Sequence, residues 1–218
     1  MSIRKIEVHL QALAQLLEKN KTDFTDLSSF NFYKKQQIRT YRDRLLAEHL
    51  LCGSEALSFA KHEHGKPFLS SHALHFNHSH SRHYYALAVS ERVRDIGIDV
   101  EELDRKVRFE AFAQHAFHAE EYQIWQQRQD KEYWFKVWTT KEAILKASGL
   151  GIRLDLNSLN TQVHPEQNGG MCTHSMIGTF AYQNFILNHI VMTVAWRAEQ
   201  SCRGFQFPQI EIIQHLTE

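Results

Sequence analysis

The chain has 218 residues and a mass of 25.6 kDa, which is long enough for one large domain or two domains of ~100 residues each. Apolar residues make up 43% and charged residues 23% of the sequence, which excludes a disordered or fibrous chain and predicts a packed core. Basic and acidic residues both number 25, so no net field favours nucleic acid or an anionic membrane, and we expect neither as a partner.

The first residues and the cysteines bear on the compartment. Charges at Arg4 and Lys5 interrupt a start that lacks the apolar run of a signal peptide, and no stretch approaches the ~20 apolar residues that cross a bilayer. Cys52, Cys172 and Cys202 are far apart and have no CxxC spacing, which argues against a disulfide framework or a zinc knuckle. We therefore expect a cytoplasmic protein.

Apolar periodicity predicts the elements of the first half. Helical spacing predicts amphipathic helices over residues 6–19 and 33–51, and the second of these is rich in cations. A region richer in strands follows, with strands over residues 84–89 and 96–100.

The second half repeats this order. Helices are predicted over residues 109–148, with a break at the polar run 126–131. Strands follow over residues 176–180, 185–187 and 190–196. Helices followed by strands in each half predict an α+β fold of two pseudo-symmetric halves, residues 1–103 and 104–218, with the active site between them.

The segment D-I-G-I-D-V-E, residues 95–101, is the first to suggest chemistry. Side chains alternate across a strand, so its Ile and Val residues share one face while Asp99 and Glu101 share the other. Carboxylates ~6 to 7 Å apart at Cα can both reach one hard cation such as Mg²⁺. An ordinary exposed strand edge is the alternative interpretation.

The second segment that suggests chemistry is a predicted helix with an unusual lysine. Its sequence is W-F-K-V-W-T-T-K-E-A-I-L-K-A-S-G, residues 134–149. Its apolar residues form one stripe, and Glu142 and Lys146 lie one turn apart along the border of that stripe. A surface ion pair is the common explanation of that spacing. Lys141 points into the stripe, where an unpaired ammonium is costly, so it should meet an anion or extend to solvent.

Seven histidines lie between positions 62 and 83. Imidazole ligates Zn²⁺ or Ni²⁺, yet the spacing matches no HExxH pattern and no cysteine accompanies it. Lys66 in a Gly-Lys-Pro turn, together with Ser79, His80 and Arg82, instead offers the hydroxyl and cationic donors that suit phosphate oxygens. Phosphate is therefore the favoured ligand here, and a histidine-rich metal carrier or hydrolase is the alternative.

Together, the motifs GKPF, FNHSHS, IGIDVEEL and WTTKEAILKASGLGI resemble those of the 4′-phosphopantetheinyl transferases, specifically the two-half Sfp type, over residues 64–152. The resemblance implies the fold of that family. It also implies transfer of the phosphopantetheine arm of coenzyme A to a serine of an apo acyl or peptidyl carrier protein, with Mg²⁺ as cofactor and adenosine 3′,5′-bisphosphate as the product released.

The resemblance also implies roles for individual residues. The metal ligands would be Asp99, Glu101 and Glu142. The catalytic residues would be Glu142, which takes the serine proton directly or through a metal-bound water, and Lys146, beside the reacting phosphates. The coenzyme A contacts would be Lys66, Ser79, His80, Arg44 and Arg39. Asp95, His75, His78 and His83 match no site of the family.

Two further expectations concern partners. The basic residues Arg105, Lys106 and Arg108, beside three phenylalanines of the segment 105–117, could dock the carrier protein, unless those rings belong to the core. Two halves in one chain favour a monomer. A non-catalytic module that binds coenzyme A or a nucleotide is the alternative function.

Overall fold

The computed structural model describes residues 4–198, 200–201, 204–205 and 207–215. Its strands are β1 (Lys5–Ala12), β2 (Phe59–Lys61), β3 (Pro67–Leu69), β4 (His75–His80), β5 (Tyr84–Ser90), β6 (Gly97–Glu102), β7 (Gly169–His174), β8 (Gly178–Leu187), β9 (Ile190–Arg197), β10 (Gln200–Ser201), β11 (Gly204–Phe205) and β12 (Gln209–His215). Its α-helices are α1 (Leu13–Leu16), α2 (Leu27–His49), α3 (Phe109–Ala116), α4 (Ala119–Arg128) and α5 (Lys131–Ser148).

The two four-stranded sheets have the orders β12-β1-β5-β4 and β6-β9-β8-β7, and three strands of each share one connectivity. In each sheet the strand before the long helix, β1 or β6, pairs antiparallel with the last strand of a later hairpin, β5 or β9. The first strand of that hairpin, β4 or β8, lies on its other side. The α+β fold of two like halves is thus confirmed.

The C-terminal strand joins the sheet of the first half, since β12 pairs parallel with β1. The division into residues 1–103 and 104–218 stays a prediction. Cys202 lies outside the described residues, whereas Cys52 and Cys172 are free thiols.

The predicted helix over residues 6–19 is wrong, because this segment forms β1 followed only by the single turn α1. Ile6, Val8 and Leu10 alternate with polar residues and are completely buried between the two sheets. The period of two therefore decides the structure here, and the helical match through Leu10 and Leu13 is coincidental.

Other boundaries move less. α2 begins earlier than predicted, because the side chain of Asp26 accepts a hydrogen bond from the Ser29 backbone N–H at 2.8 Å and caps the helix. The break in the second helical region is confirmed, and the caps of α5 are Asp130 and Gly149, the latter with φ of 77°. Two of the predicted strands merge into β8, and β7 is missed.

The two halves meet at the facing edges of β4 and β6. The side-chain Oδ1 of Asn77 on β4 accepts a hydrogen bond from the Ile98 N–H at 2.9 Å. α5 packs on β6 and β9 so closely that a Cβ at Gly97 would lie 1.9 Å from the Ala143 carbonyl oxygen. This close approach brings one face of α5 against the β4–β6 junction, where the polar side chains of both segments meet.

Among the residues that the structure describes, no helix combines the length and the apolar composition that a bilayer crossing requires.

Candidate active site

A cleft with two adjoining cavities lies where β4, β6 and α5 meet. The larger cavity, of about 450 Å³, and the smaller one, of about 320 Å³, share His78, Glu142 and Lys146 as lining residues. The larger cavity is otherwise lined by Ser79, His80, Asp99, Glu101, Arg105 and Trp138. The smaller one includes Lys66, Pro67, Leu145, Gly149 and Gly151. Both volumes are in the range of small-molecule sites.

Asp99 and Lys146 form the centre of the larger cavity. The Lys146 Nζ lies 2.6 Å from the Asp99 Oδ1, and the Ser79 hydroxyl donates to the same oxygen at 2.8 Å. The Asp99 Oδ2 is buried and has no hydrogen-bond partner within the part of the chain that the structure describes. One oxygen of this carboxylate is therefore satisfied, while the other can accept a further donor or cation.

Glu101 and Glu142 complete a group of three carboxylates. Burial, and after it the charge of Asp99, raises the pKa of Glu101 to about 7, and the same two causes raise the pKa of Glu142. Glu101 also accepts from the Trp138 Nε1 at 3.3 Å and forms an ion pair with Arg105. The sequence-predicted Asp99, Glu101, Glu142 and Lys146 are thus brought together in one cleft.

The donor set fits a hard divalent cation. Carboxylate oxygens are the preferred ligands of Mg²⁺, and the orphaned Asp99 Oδ2 and the raised pKa values of both glutamates indicate uncompensated negative charge. Lys146 and Arg105 supply part of that compensation. In the part of the chain that the structure describes, no three His, Cys, Asp or Glu side chains are already arranged as a metal site.

The ammonium of Lys66 is turned to the backbone. It donates to the carbonyls of Ile96 at 2.9 Å and Ala147 at 3.0 Å, and burial lowers its pKa to about 8. The side chain thereby ties the Gly-Lys-Pro turn to β6 and to the end of α5. It lines the smaller cavity, but its three donor positions are largely used within the protein.

Arg39 and Arg44 lie away from both cavities. Their side chains are 65% and 62% exposed and face Asp43 and Glu48, one turn along α2. Two other residues of this helix act on histidines of the cleft: after burial, the charge of Lys34 lowers the pKa of His80 and the charge of Arg42 lowers the pKa of His78.

A helical-periodicity signal could have identified these two cations. Lys34 and Arg42 flank the buried Ile38 at four-residue spacing, so all three lie on the face that α2 turns to the first sheet. His78 was also missed, although it lines both cavities. Desolvation, and after it Lys34, lowers the pKa of His80.

Residues 95–195 match the family model described as the 4′-phosphopantetheinyl transferase superfamily. This stretch is therefore similar to members of that superfamily. It carries β6 and α5, and with them the three carboxylates and Lys146 of the cleft.

Curated relatives of the superfamily match about half of the chain. The 4′-phosphopantetheinyl transferase gsp of Aneurinibacillus migulanus is 38% identical over 112 residues, which cover 48% of this chain and 44% of that protein. The 4′-phosphopantetheinyl transferase psf-1 of Bacillus pumilus is 33% identical over 134 residues, which cover 57% of this chain and 56% of that protein. The chain thus spans about half the length of these relatives.

Among solved structures, the holo-[acyl-carrier-protein] synthase of Thermotoga maritima is 15% identical, with a TM-score of 0.35, and the match covers 52% of this chain and 81% of that one.

Proposed function

We propose that this chain transfers the 4′-phosphopantetheine arm of coenzyme A to a serine of an apo acyl or peptidyl carrier protein. The observation that carries this proposal is the meeting of Asp99, Glu101, Glu142 and Lys146 in one cleft, within the stretch that matches the superfamily model. A group of buried carboxylates beside a lysine suits a site that binds a diphosphate together with a divalent cation.

In the proposed reaction, the serine oxygen forms a bond to the phosphorus that carries the pantetheine arm. The bond from that phosphorus to the bridging oxygen of the diphosphate breaks, and adenosine 3′,5′-bisphosphate leaves with that oxygen and its electron pair. The serine proton passes to the Glu142 carboxylate, whose raised pKa makes it a better proton acceptor than an exposed glutamate. Lys146 stabilises the charge that develops on the phosphates.

Asp99, Glu101 and Glu142 would hold the Mg²⁺ ion, which when bound supplies charge neutralisation at the diphosphate. Lys146 and Arg105 already neutralise part of the same carboxylate group. Ser79 keeps Asp99 oriented through its 2.8 Å hydrogen bond.

The coenzyme A contacts in the proposal are His80 and Ser79 in the larger cavity and Lys66 in the smaller one. Lys66 would act mainly by fixing the turn that lines its cavity, given its two carbonyl partners. Arg39 and Arg44 stay proposed contacts of the 3′-phosphate at the periphery, and both would have to leave their acidic neighbours to reach it.

Mass spectrometry tests the proposal. The protein is incubated with coenzyme A, Mg²⁺ and a panel of apo carrier proteins, and a phosphopantetheine mass increment on one of them is the expected result. Omission of Mg²⁺ should abolish the increment. Binding of coenzyme A with no increment on any carrier protein would instead support the alternative, a non-catalytic coenzyme A or nucleotide module.

The proposal includes a monomer, because the cleft is built from two halves of a single chain. A cytoplasmic location is proposed from the sequence alone. Sedimentation equilibrium of the active protein tests the oligomeric state.

A further inference from the structure

His78 occupies a position in the cleft for which the family resemblance offers no role. The two cavities share three lining residues, and two of them, Glu142 and Lys146, come from α5. His78 is the third, and it comes from β4 of the other half. A ligand that extends from one cavity into the other must therefore pass between these α5 residues and His78.

The His78 ring is free to bind a ligand. Its Nδ1 is buried and has no hydrogen-bond partner among the described residues, and its ring packs 5.7 Å from that of Tyr85. Since the ring lines both cavities and Nδ1 is buried, Nε2 is the nitrogen that a ligand can reach. A neutral imidazole has one N–H donor, and placing the proton on Nε2 directs that donor to the cleft.

Burial and the charges around the ring keep it neutral. Burial, and after it the cations Arg42, Lys146 and His80, lowers the pKa of His78 to about 3. The ring can therefore form a directional hydrogen bond to a ligand, but it carries no charge of its own. This distinguishes it from Lys146, which contributes the charge.

We propose that His78 is a substrate-binding residue that donates a hydrogen bond from its Nε2 to a phosphate oxygen of coenzyme A at the junction of the two cavities. The inference rests on the proposed function, which puts the diphosphate beside Lys146. Such a contact is made in both the ground state and the transition state. Its loss therefore raises KM and leaves kcat nearly unchanged.

Calorimetric titration with coenzyme A tests the contact. His78→Leu should weaken Kd about tenfold, the equivalent of one hydrogen bond to a charged group. His78→Gln should recover most of the affinity, because its side-chain amide can donate from nearly the same place. His75→Leu is the matched control: His75 lies on the same strand but lines neither cavity of the cleft, so its Kd should not change.

Two outcomes separate this inference from the proposed function. If the wild-type protein binds no coenzyme A, both are wrong. If the wild type binds and His78→Leu binds equally well, or His78→Gln loses as much affinity as His78→Leu, only the inference about His78 is wrong.

A spectroscopic measurement keeps the test valid if His78→Leu fails to fold. In the ¹⁵N-histidine-labelled wild type, saturation with coenzyme A should shift the Nε2 resonance of His78, assigned with the His78→Gln variant. An unchanged Nε2 resonance at saturation would overturn the contact. The kinetic counterpart is a rise in KM for coenzyme A with constant kcat in His78→Gln or His78→Leu.

Discussion

Glu101 and Glu102 are neighbours in β6, yet they serve different purposes because a strand turns them to opposite sides. Glu101 lines the cleft, whereas Glu102 is 3% exposed and accepts hydrogen bonds from the Ser81 hydroxyl at 2.6 Å and the His83 N–H at 2.8 Å. Burial alone would raise the pKa of Glu102, but these hydrogen bonds outweigh burial and lower it.

Substitution of the two glutamates should therefore separate catalysis from stability. Glu101→Ala should reduce transfer at least ~10²-fold with little change in Tm. The substitution removes one of the three proposed ligands of the Mg²⁺ ion, whose charge offsets the negative charge of the transition state. Glu102→Gln should keep transfer within a few-fold of wild type and lower the free energy of unfolding by about 1 to 3 kcal/mol. Near-normal turnover of Glu101→Ala would remove Glu101 from the proposed metal site.

His78 should make the protein sensitive to acid. Burial, and after it Arg42, lowers its pKa to about 3, whereas an unfolded histidine titrates near 6.5. As the pH falls, the unfolded chain therefore binds a proton at this histidine before the folded protein does. The stability that depends on a neutral His78 is intact above pH ~6.5 and is lost as the pH falls towards 3. Between pH 6.5 and 5 the loss should be about 2 kcal/mol.

Urea unfolding of the wild type and His78→Gln at these two pH values checks this expectation. Other titrating groups contribute equally to both proteins, so the difference between them isolates His78. An identical pH dependence in the two proteins would contradict it.

At the scale of elements, a buried ion pair joins α4, α5 and the loop after them. The Lys141 Nζ lies 2.8 Å from the Glu121 Oε2, with the two side chains 0% and 2% exposed. The same ammonium donates to the carbonyls of Leu156, at 2.8 Å, and Leu159, and Glu121 accepts from the Thr161 N–H at 2.8 Å. The lysine within the apolar stripe thus meets an anion, which is one of the two outcomes that the sequence predicted.

Removal of one member of this pair should be far more costly than removal of both. Lys141→Met leaves an unpaired buried carboxylate and should lower the free energy of unfolding by about 3 to 5 kcal/mol. The double variant Lys141→Met/Glu121→Leu should recover a large part of that loss, since no charge then remains buried. Chemical denaturation of the single and double variants measures the coupling, and additive effects would contradict a direct pair.

The same helix shows how far sequence reasoning extends. The period of α5 predicted which residues share a face, including Glu142 and Lys146, because that information is local. It did not predict that Lys146 pairs with Asp99 or that Lys66 binds the Ala147 carbonyl, since these contacts depend on how separate elements pack. The close approach at Gly97 has the same origin.

At the scale of the whole molecule, the two halves create the cleft by presenting the edge of one sheet to the edge of the other. Asn77 and Ser79 of β4 bond to Ile98 and Asp99 of β6, so the first half orients the carboxylates of the second. In the proposed reaction, a carrier protein would approach this junction from the open side. The segment after β6 borders that side, because Arg105 lines the larger cavity.

The expected docking segment, residues 105–117, is only partly core. Phe117 is buried, whereas Phe112 is 40% exposed and packs edge-on at 4.8 Å from Trp138, a residue of the cleft wall. An exposed aromatic ring in the same segment as the exposed cations Lys106 and Arg108 suits a partner surface that carries acidic side chains.

Charge reversal at this surface tests docking. Arg105 is left unchanged, because it forms an ion pair with Glu101 and its substitution would affect the proposed metal site as well as docking. Lys106→Glu/Arg108→Glu should raise KM for the carrier protein about tenfold at low salt and weaken its salt dependence. KM for coenzyme A should not change, because neither cation lines the cleft. Arg92→Glu/Arg94→Glu makes the same charge change before the other end of β6 and should leave both constants unaffected. An unchanged KM for the carrier protein in the first variant would exclude this surface and direct the search to other exposed cations around the cleft.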